Sequence, residues 1–119
     1  MTPQETTILL DYLFKHYPAY RADKEALIES FYRTYSRFDR NGVKYICDKY
    51  LELKKPFFPR ISELEEIRIM EIQRAEYIIN DPRNPFYLGE AGERRQKRIN
   101  EAKQIIKGLR PITLKELNR

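Results

Sequence analysis

The chain has 119 residues, of which 34% are charged and 41% hydrophobic, enough apolar side chain for one small domain with a modest core. The single Cys47 excludes an internal disulfide, and with the single His16 it excludes a zinc site built from His and Cys. No apolar run approaches the about 18 residues of a membrane span, and no leader pattern opens the chain, so the expected compartment is a reducing cytoplasm. The net charge of +5 is unevenly placed. Residues 1–81 carry 13 Lys/Arg against 14 Asp/Glu, whereas residues 82–119 carry 10 against 4. Such asymmetry predicts a near-neutral globular part, 1–81, followed by a basic arm, 82–119.

Thr2-Pro3-Gln4-Glu5 opens the first predicted helix: Thr2 caps it, Pro3 suits its first turn and Glu5 completes a capping box. Leu9, Tyr12, Leu13, His16 and Tyr17 follow at three- and four-residue steps, and Pro18 ends the run. A second helix starts at the cap Asp23, with Leu27, Phe31, Tyr35 and Phe38 as its apolar stripe. Asp39-Arg40-Asn41-Gly42 reads as a turn. Val43, Ile46, Cys47, Tyr50, Leu51 and Leu53 then mark a third helix, which Pro56 terminates.

The link Lys55-Pro56-Phe57-Phe58-Pro59-Arg60 is stiffened by two prolines and places two aromatics side by side, one to plug the bundle and one left free. Ser62 with Glu65 predicts a capping box for a fourth helix reaching about Ile79. At 100° per residue, Ile61, Leu64, Ile67, Ile72, Ala75, Ile78 and Ile79 share one face, while Met70 and Tyr77 fall on the opposite side. Asn80-Asp81-Pro82-Arg83-Asn84-Pro85 is a breaker cluster and the predicted boundary. Beyond it a basic fifth helix is expected over Ala91–Lys107, stopped by Gly108, with one more turn near Thr113–Leu117. No strand pattern competes. The fold class is all-α: a bundle of about four helices followed by a basic amphipathic C-terminal helix.

Catalytic chemistry has little to draw on. A nucleophile–base pair would have to use His16, whose register places it packed on the apolar face of the first helix. Cys47 lies in a core stripe. Gly42, Gly89, Gly92 and Gly108 form no phosphate loop, and the carboxylates of Glu63, Glu65 and Glu66 suit a helix N-terminus without a metal. The expectation is a protein without enzymatic activity, metal or cofactor. The fifth helix, with its narrow apolar stripe and basic flanks, reads instead as a ligand for a groove, as a membrane-surface helix, against which the lack of Trp and Phe on the stripe speaks, or as an arm that tracks a nucleic-acid backbone.

Certain segments resemble a known family. Glu5-Thr6-Thr7-Ile8-Leu9-Leu10 with Tyr17-Pro18, the spacing to Phe31-Tyr32, to Phe38-Asp39 with Val43 and to Tyr50-Leu51, and above all Lys55-Pro56-Phe57-Phe58-Pro59-Arg60-Ile61-Ser62-Glu63-Leu64 are similar to the bacteriophage replicative helicase loader/inhibitor proteins. The resemblance covers about residues 1–80. It implies a small helical bundle that binds a DnaB-type hexameric helicase, restrains its ATPase and unwinding, and helps deliver it to an origin through an origin-binding protein, in the cytoplasm of a bacterial host.

Amphipathicity and charge then place the expected helicase contact on Ile105, Ile106, Leu109, Leu114 and Leu117, with Arg94, Arg95 and Arg98 steering the approach, and a second surface on Phe57, Phe58, Met70 and Tyr77. Two alternatives stay open. One is an inhibitor of the host helicase without loading activity. The other is a DNA-binding accessory protein whose basic arm tracks phosphates while Tyr77, Phe86 or Tyr87 stack on bases.

Overall fold

Local capping starts the first helices where the sequence places it. Glu5 N–H donates to Thr2 Oγ1 at 3.1 Å and Thr2 N–H donates to Glu5 Oε1 at 2.9 Å, closing the capping box of α1 (Pro3–His16). Asp23 Oδ1 accepts from the N–H groups of Glu25 and Ala26 at the start of α2 (Lys24–Tyr35). The computed structural model describes residues 1–113, and its remaining helices are α3 (Arg40–Glu52), α4 (Ile61–Ile79) and α5 (Gly89–Leu109), with a single 3-10 turn at Asn84–Phe86. Among the described residues there is no strand, so the all-α class holds. The expected turn near Thr113–Leu117, with Leu114 and Leu117, lies outside them.

Several boundaries differ from expectation. α4 begins at Ile61, with Glu63 Oε1 accepting the Arg60 N–H at 3.1 Å, and Glu65 pairs with Arg68 instead of completing a box with Ser62. Two carboxylates were in reach of two candidate caps; the buried Phe58 and Pro59 seat the chain for the earlier one. Asp39 is the N-cap of α3, so Gly42 belongs to a helix and not to a turn. Nor does Gly108 stop α5, which runs on to Leu109.

The core gathers one stripe from each helix: Leu9, Leu10 and Leu13 of α1, Phe31 and Tyr35 of α2, Val43, Ile46, Cys47 and Tyr50 of α3, Leu64 and Ile67 of α4, and Leu109 of α5. Phe58 closes one end, stacked on Tyr20 at 4.4 Å between ring centres and packed beside Phe14 and Tyr17. His16 departs from its expected packed position. It is exposed at the last residue of α1, on the flank of the stripe formed by Leu9, Leu10 and Leu13, with its ring edge-on to Tyr12. One core group lacks a partner: the Tyr35 hydroxyl is buried without a hydrogen bond, and burial pushes its ionisation well above the usual tyrosine range. Removing an unsatisfied buried hydroxyl relieves a desolvation cost, so Tyr35→Phe should raise stability by about 1 kcal/mol in urea unfolding. A loss of that size would mean the hydroxyl has a partner.

The expected separation of a bundle and a basic arm is revised by the course of α5. The breaker cluster after α4 forms a hairpin turn, and α5 returns antiparallel along α4. Ala75 and Ala102, both buried, lie along the contact. At its end α5 crosses α3, where Gly108 meets Gly42 backbone to backbone. Arg68 Nη1 donates to the Leu109 carbonyl at 3.2 Å, Arg110 pairs with Glu76, and Ile112 N–H donates to Arg37 O at 2.7 Å. The stripe that the sequence offers to a partner is largely used within the chain.

The α4–α5 hairpin nevertheless outreaches the bundle. Apart from its contact with α5, α4 meets the bundle mainly through Leu64, Ile67 and Glu71, the last accepting from Tyr45 Oη at 3.2 Å. The radius of gyration is 17.0 Å, against about 13 Å for a compact chain of this length. No described helix is long and apolar enough to cross a membrane.

Candidate protein-interaction site

The turn joining α4 to α5 is built around one carboxylate. Asp81, its side chain 2% exposed, accepts from Arg83 Nη2 at 2.8 Å, from the Arg83 backbone N–H at 3.0 Å and from Arg95 Nη2 at 2.9 Å. Asn84 links this pair to the end of α4. Its Nδ2 donates to the carbonyls of Ile78 and Ile79, both at 3.0 Å, satisfying two of the acceptors that a helix end leaves open. Its Oδ1 accepts from Arg95 Nε at 2.6 Å, and the Arg95 guanidinium lies 5.1 Å from the centre of the Tyr87 ring. The turn is therefore tied to both helices, to the last carbonyls of α4 through Asn84 and to α5 through the Arg95 side chain.

That lock presents apolar surface to solvent. Phe86 is 81% exposed and Leu88 79% exposed, and Tyr77, on the last turns of α4, is 68% exposed. Large apolar side chains exposed on a turn whose backbone is already tied suit an interface, because little backbone freedom remains to be lost on binding. Below the tip, Arg74, Tyr77, Arg98 and the small floor of Ala75 and Ala102 line a shallow groove of about 390 Å³ between the two helices.

Charge stabilises the turn. The Arg83 guanidinium and backbone N–H, with Arg95 beyond them, hold the Asp81 carboxyl well below the usual carboxylate range. A carboxyl depressed in the folded state contributes stability that is present above its unfolded pKa of about 3.9 and is lost as pH falls below it. Wild-type stability should therefore drop on acidification through that region, and Asp81→Asn should flatten part of the drop while lowering stability at pH 7. Equal acid slopes for the two proteins, measured by urea unfolding from neutral pH to pH 3, would refute this role.

The residues expected to meet partners divide sharply. Leu109 is 1% exposed and Phe58 7% exposed, so both are core residues, which corrects their placement on a binding surface. Arg95 is corrected too: its side chain is 10% exposed and ion-paired with Asp81. Ile105 and Ile106 are half-buried, Ile105 against the core. Arg94 and Arg98 stay exposed, as do Phe57, Met70 and Tyr77. Leu114 and Leu117 lie outside the described residues.

Leu88 was missed by sequence reasoning, and Phe86 was considered only for base stacking. The available signal was a Pro-Phe-Tyr-Leu run directly after a breaker cluster, where turns between helices are ordinarily polar. The groups weighed for catalysis lie apart from this tip. Cys47 is fully buried, and desolvation pushes its thiol up to about 12, leaving it protonated at neutral pH. Among the described residues no three of His, Cys, Asp and Glu come together as a metal site requires.

No protein-family model, curated protein or solved structure matches this chain.

Proposed function

We propose that this chain is a non-enzymatic replication adaptor that binds a DnaB-type hexameric helicase of a bacterial cell, restrains its ATPase and unwinding, and helps place it at an origin. The reading rests on the resemblance of residues 1–80 to the phage helicase loader/inhibitor proteins. The observation that carries its contact surface is the locked hairpin tip, with Phe86 81% and Leu88 79% exposed. Such a tip fits an apolar pocket on the helicase. A protein without catalytic groups restrains an ATPase by binding one conformational state of the ring more tightly than the others, which shifts the equilibrium by the difference in affinity. Loading and pure inhibition begin with the same complex.

The deciding test mixes the full chain with a DnaB-type helicase, with and without a non-hydrolysable ATP analogue, and follows mass by size-exclusion chromatography with light scattering. A stable complex is expected for the wild type. The double variant Phe86→Ala/Leu88→Ala, which changes only exposed side chains, should keep its helical circular dichroism and lose at least about 2 kcal/mol of binding, the range of truncated interface anchors. Absence of a complex under either nucleotide condition overturns the adaptor reading. Salt-sensitive binding to single-stranded DNA in its place would favour the nucleic-acid alternative.

A further inference from the structure

Part of the positive charge of α5 is used within the chain: Arg95 pairs with Asp81, Arg94 with Glu90, and Arg110, just past the helix, with Glu76. Three lysines are not used. Among the described residues Lys97, Lys103 and Lys107 make neither an ion pair nor a hydrogen bond. Glu93 and Glu101 stand one turn before and after Lys97, yet neither pairs with it. Lys103 and Lys107, one turn apart, repel each other with no carboxylate bonded to either, an arrangement that weakens a helix.

The three lysines share the outward face of α5 with three amides. Gln96, Lys97, Asn100, Lys103, Gln104 and Lys107 are all exposed, and at 100° per residue they fall within an arc of about 120°, opposite the buried Ala102 and Leu109. Gln96 Nε2 donates to Asn100 Oδ1 at 3.0 Å, which leaves the Asn100 amide N–H groups free to donate. No carboxylate, apolar or aromatic side chain interrupts this face, because Arg98 and Glu101 lie on the flank that lines the α4–α5 groove. At its far end Lys103, Gln104 and Lys107 line, with Asn41 and Tyr45 of α3, a recess of about 900 Å³. Asp39 lies on the α3 side of that recess and pairs with neither lysine.

We propose that this face binds the phosphate backbone of duplex DNA. Lysines without partners, spread over about 15 Å of helix axis from Lys97 to Lys107, suit a polyanion better than a single phosphate. Lysine and amide side chains are regular donors to phosphate oxygens. Protein–protein interfaces, by contrast, are depleted in lysine and enriched in aromatic residues, as the hairpin tip is. A membrane-surface helix needs apolar side chains beside its cations, and single-stranded nucleic acid needs aromatic rings for its bases. This face holds neither. A phosphate seated between Lys103 and Lys107 relieves their repulsion, and contacts to the backbone alone carry no sequence preference. With three such contacts the binding is weak and sensitive to salt. The inference goes beyond the adaptor reading and does not rest on it.

Fluorescence anisotropy of a labelled duplex of mixed sequence, titrated with the full chain, tests this. Binding is expected at low salt, with log Kd rising against log salt by about 0.9 per phosphate contact, about 2.7 for three lysines. Lys103→Gln/Lys107→Gln should weaken binding at least about tenfold and bring the slope to about 0.9, with helical circular dichroism unchanged. Lys15→Gln/Lys54→Gln removes the same charge from exposed positions at the ends of α1 and α3, and should weaken binding far less. No binding at low salt overturns the proposal. So do equal losses from the two double variants, which would mean that net charge alone attracts DNA. Tighter binding to single-stranded DNA, anionic lipid vesicles or polyglutamate than to the duplex overturns it as well. No helicase enters the assay, so this inference and the adaptor reading fail separately.

Discussion

Gly42→Ala should cost this protein about 3 kcal/mol, whereas Gly108→Ala should leave stability unchanged or raise it by about 0.5 kcal/mol. The asymmetry follows from the crossing of α3 and α5. A Cβ added at Gly42 meets the Gly108 carbonyl, 2.8 Å from its carbon and closer still to its oxygen, so two helix backbones must separate to admit one methyl group. The neighbour is backbone and cannot swing aside as a flexible side chain would. A Cβ added at Gly108 points elsewhere: its nearest neighbour, the Gly42 Cα, is 4.0 Å away, an ordinary van der Waals contact. There the greater helix propensity of alanine is free to act. Urea unfolding followed by circular dichroism reads both effects as midpoint shifts, large and downward for Gly42→Ala, zero or slightly upward for Gly108→Ala. Equal tolerance of the two substitutions would show that α5 does not cross α3 at this point.

The second large effect belongs to Leu109. Its side chain is 1% exposed within the cluster that joins all five helices. Leu109→Ala should therefore destabilise the protein by about 3 kcal/mol, the middle of the range for truncated core leucines. Ile106→Ala, at a half-buried position three residues earlier, should cost less, about 1 kcal/mol. A basic arm standing clear of the bundle would give nearly zero for both. The contrast between two neighbouring apolar residues thus measures directly how far α5 is part of the fold, and it is read in the same unfolding experiment.

What the sequence discloses here is what is local. The Thr2–Glu5 and Asp23 caps are legible because donor and acceptor sit within three residues of each other, and the apolar stripes because the helical period is imposed by the backbone. His16 shows where periodicity stops being informative: its three-residue step from Leu13 matches the stripe, but it falls on the flank of the buried face, while the adjacent Tyr17 packs on the core. Gly42 and Gly108 show a different limit. Each reads as punctuation by itself, as a turn and as a helix stop, and only the crossing of two helices 66 positions apart in sequence gives them a shared steric role. For α5, amphipathicity announces that one face will be covered without naming the cover. The stripe finds its cover in α4 and the core, while the apolar groups that stay most exposed are those of the turn. Phe86 and Leu88 carry no periodic signal, because a turn has no face.

The corner between α2 and α3 accepts hydrogen bonds from the two most distant parts of the described chain. The carbonyls of Ser36 and Phe38 take bonds from the Met1 amino group, at 2.9 and 2.8 Å, and the carbonyl between them, that of Arg37, takes one from the Ile112 amide. Three consecutive acceptors thus hold residue 1 and residue 112 side by side. In a growing polypeptide, α1 to α3 meet early, but this corner and the seat of Leu109 stay open until almost all of α5 has been made. The order of synthesis therefore leaves the first three helices with an unfilled gap in their core until α5 follows. Closing it ties the end of α5 to the start of α1, a step governed by the entropy of bringing distant segments together.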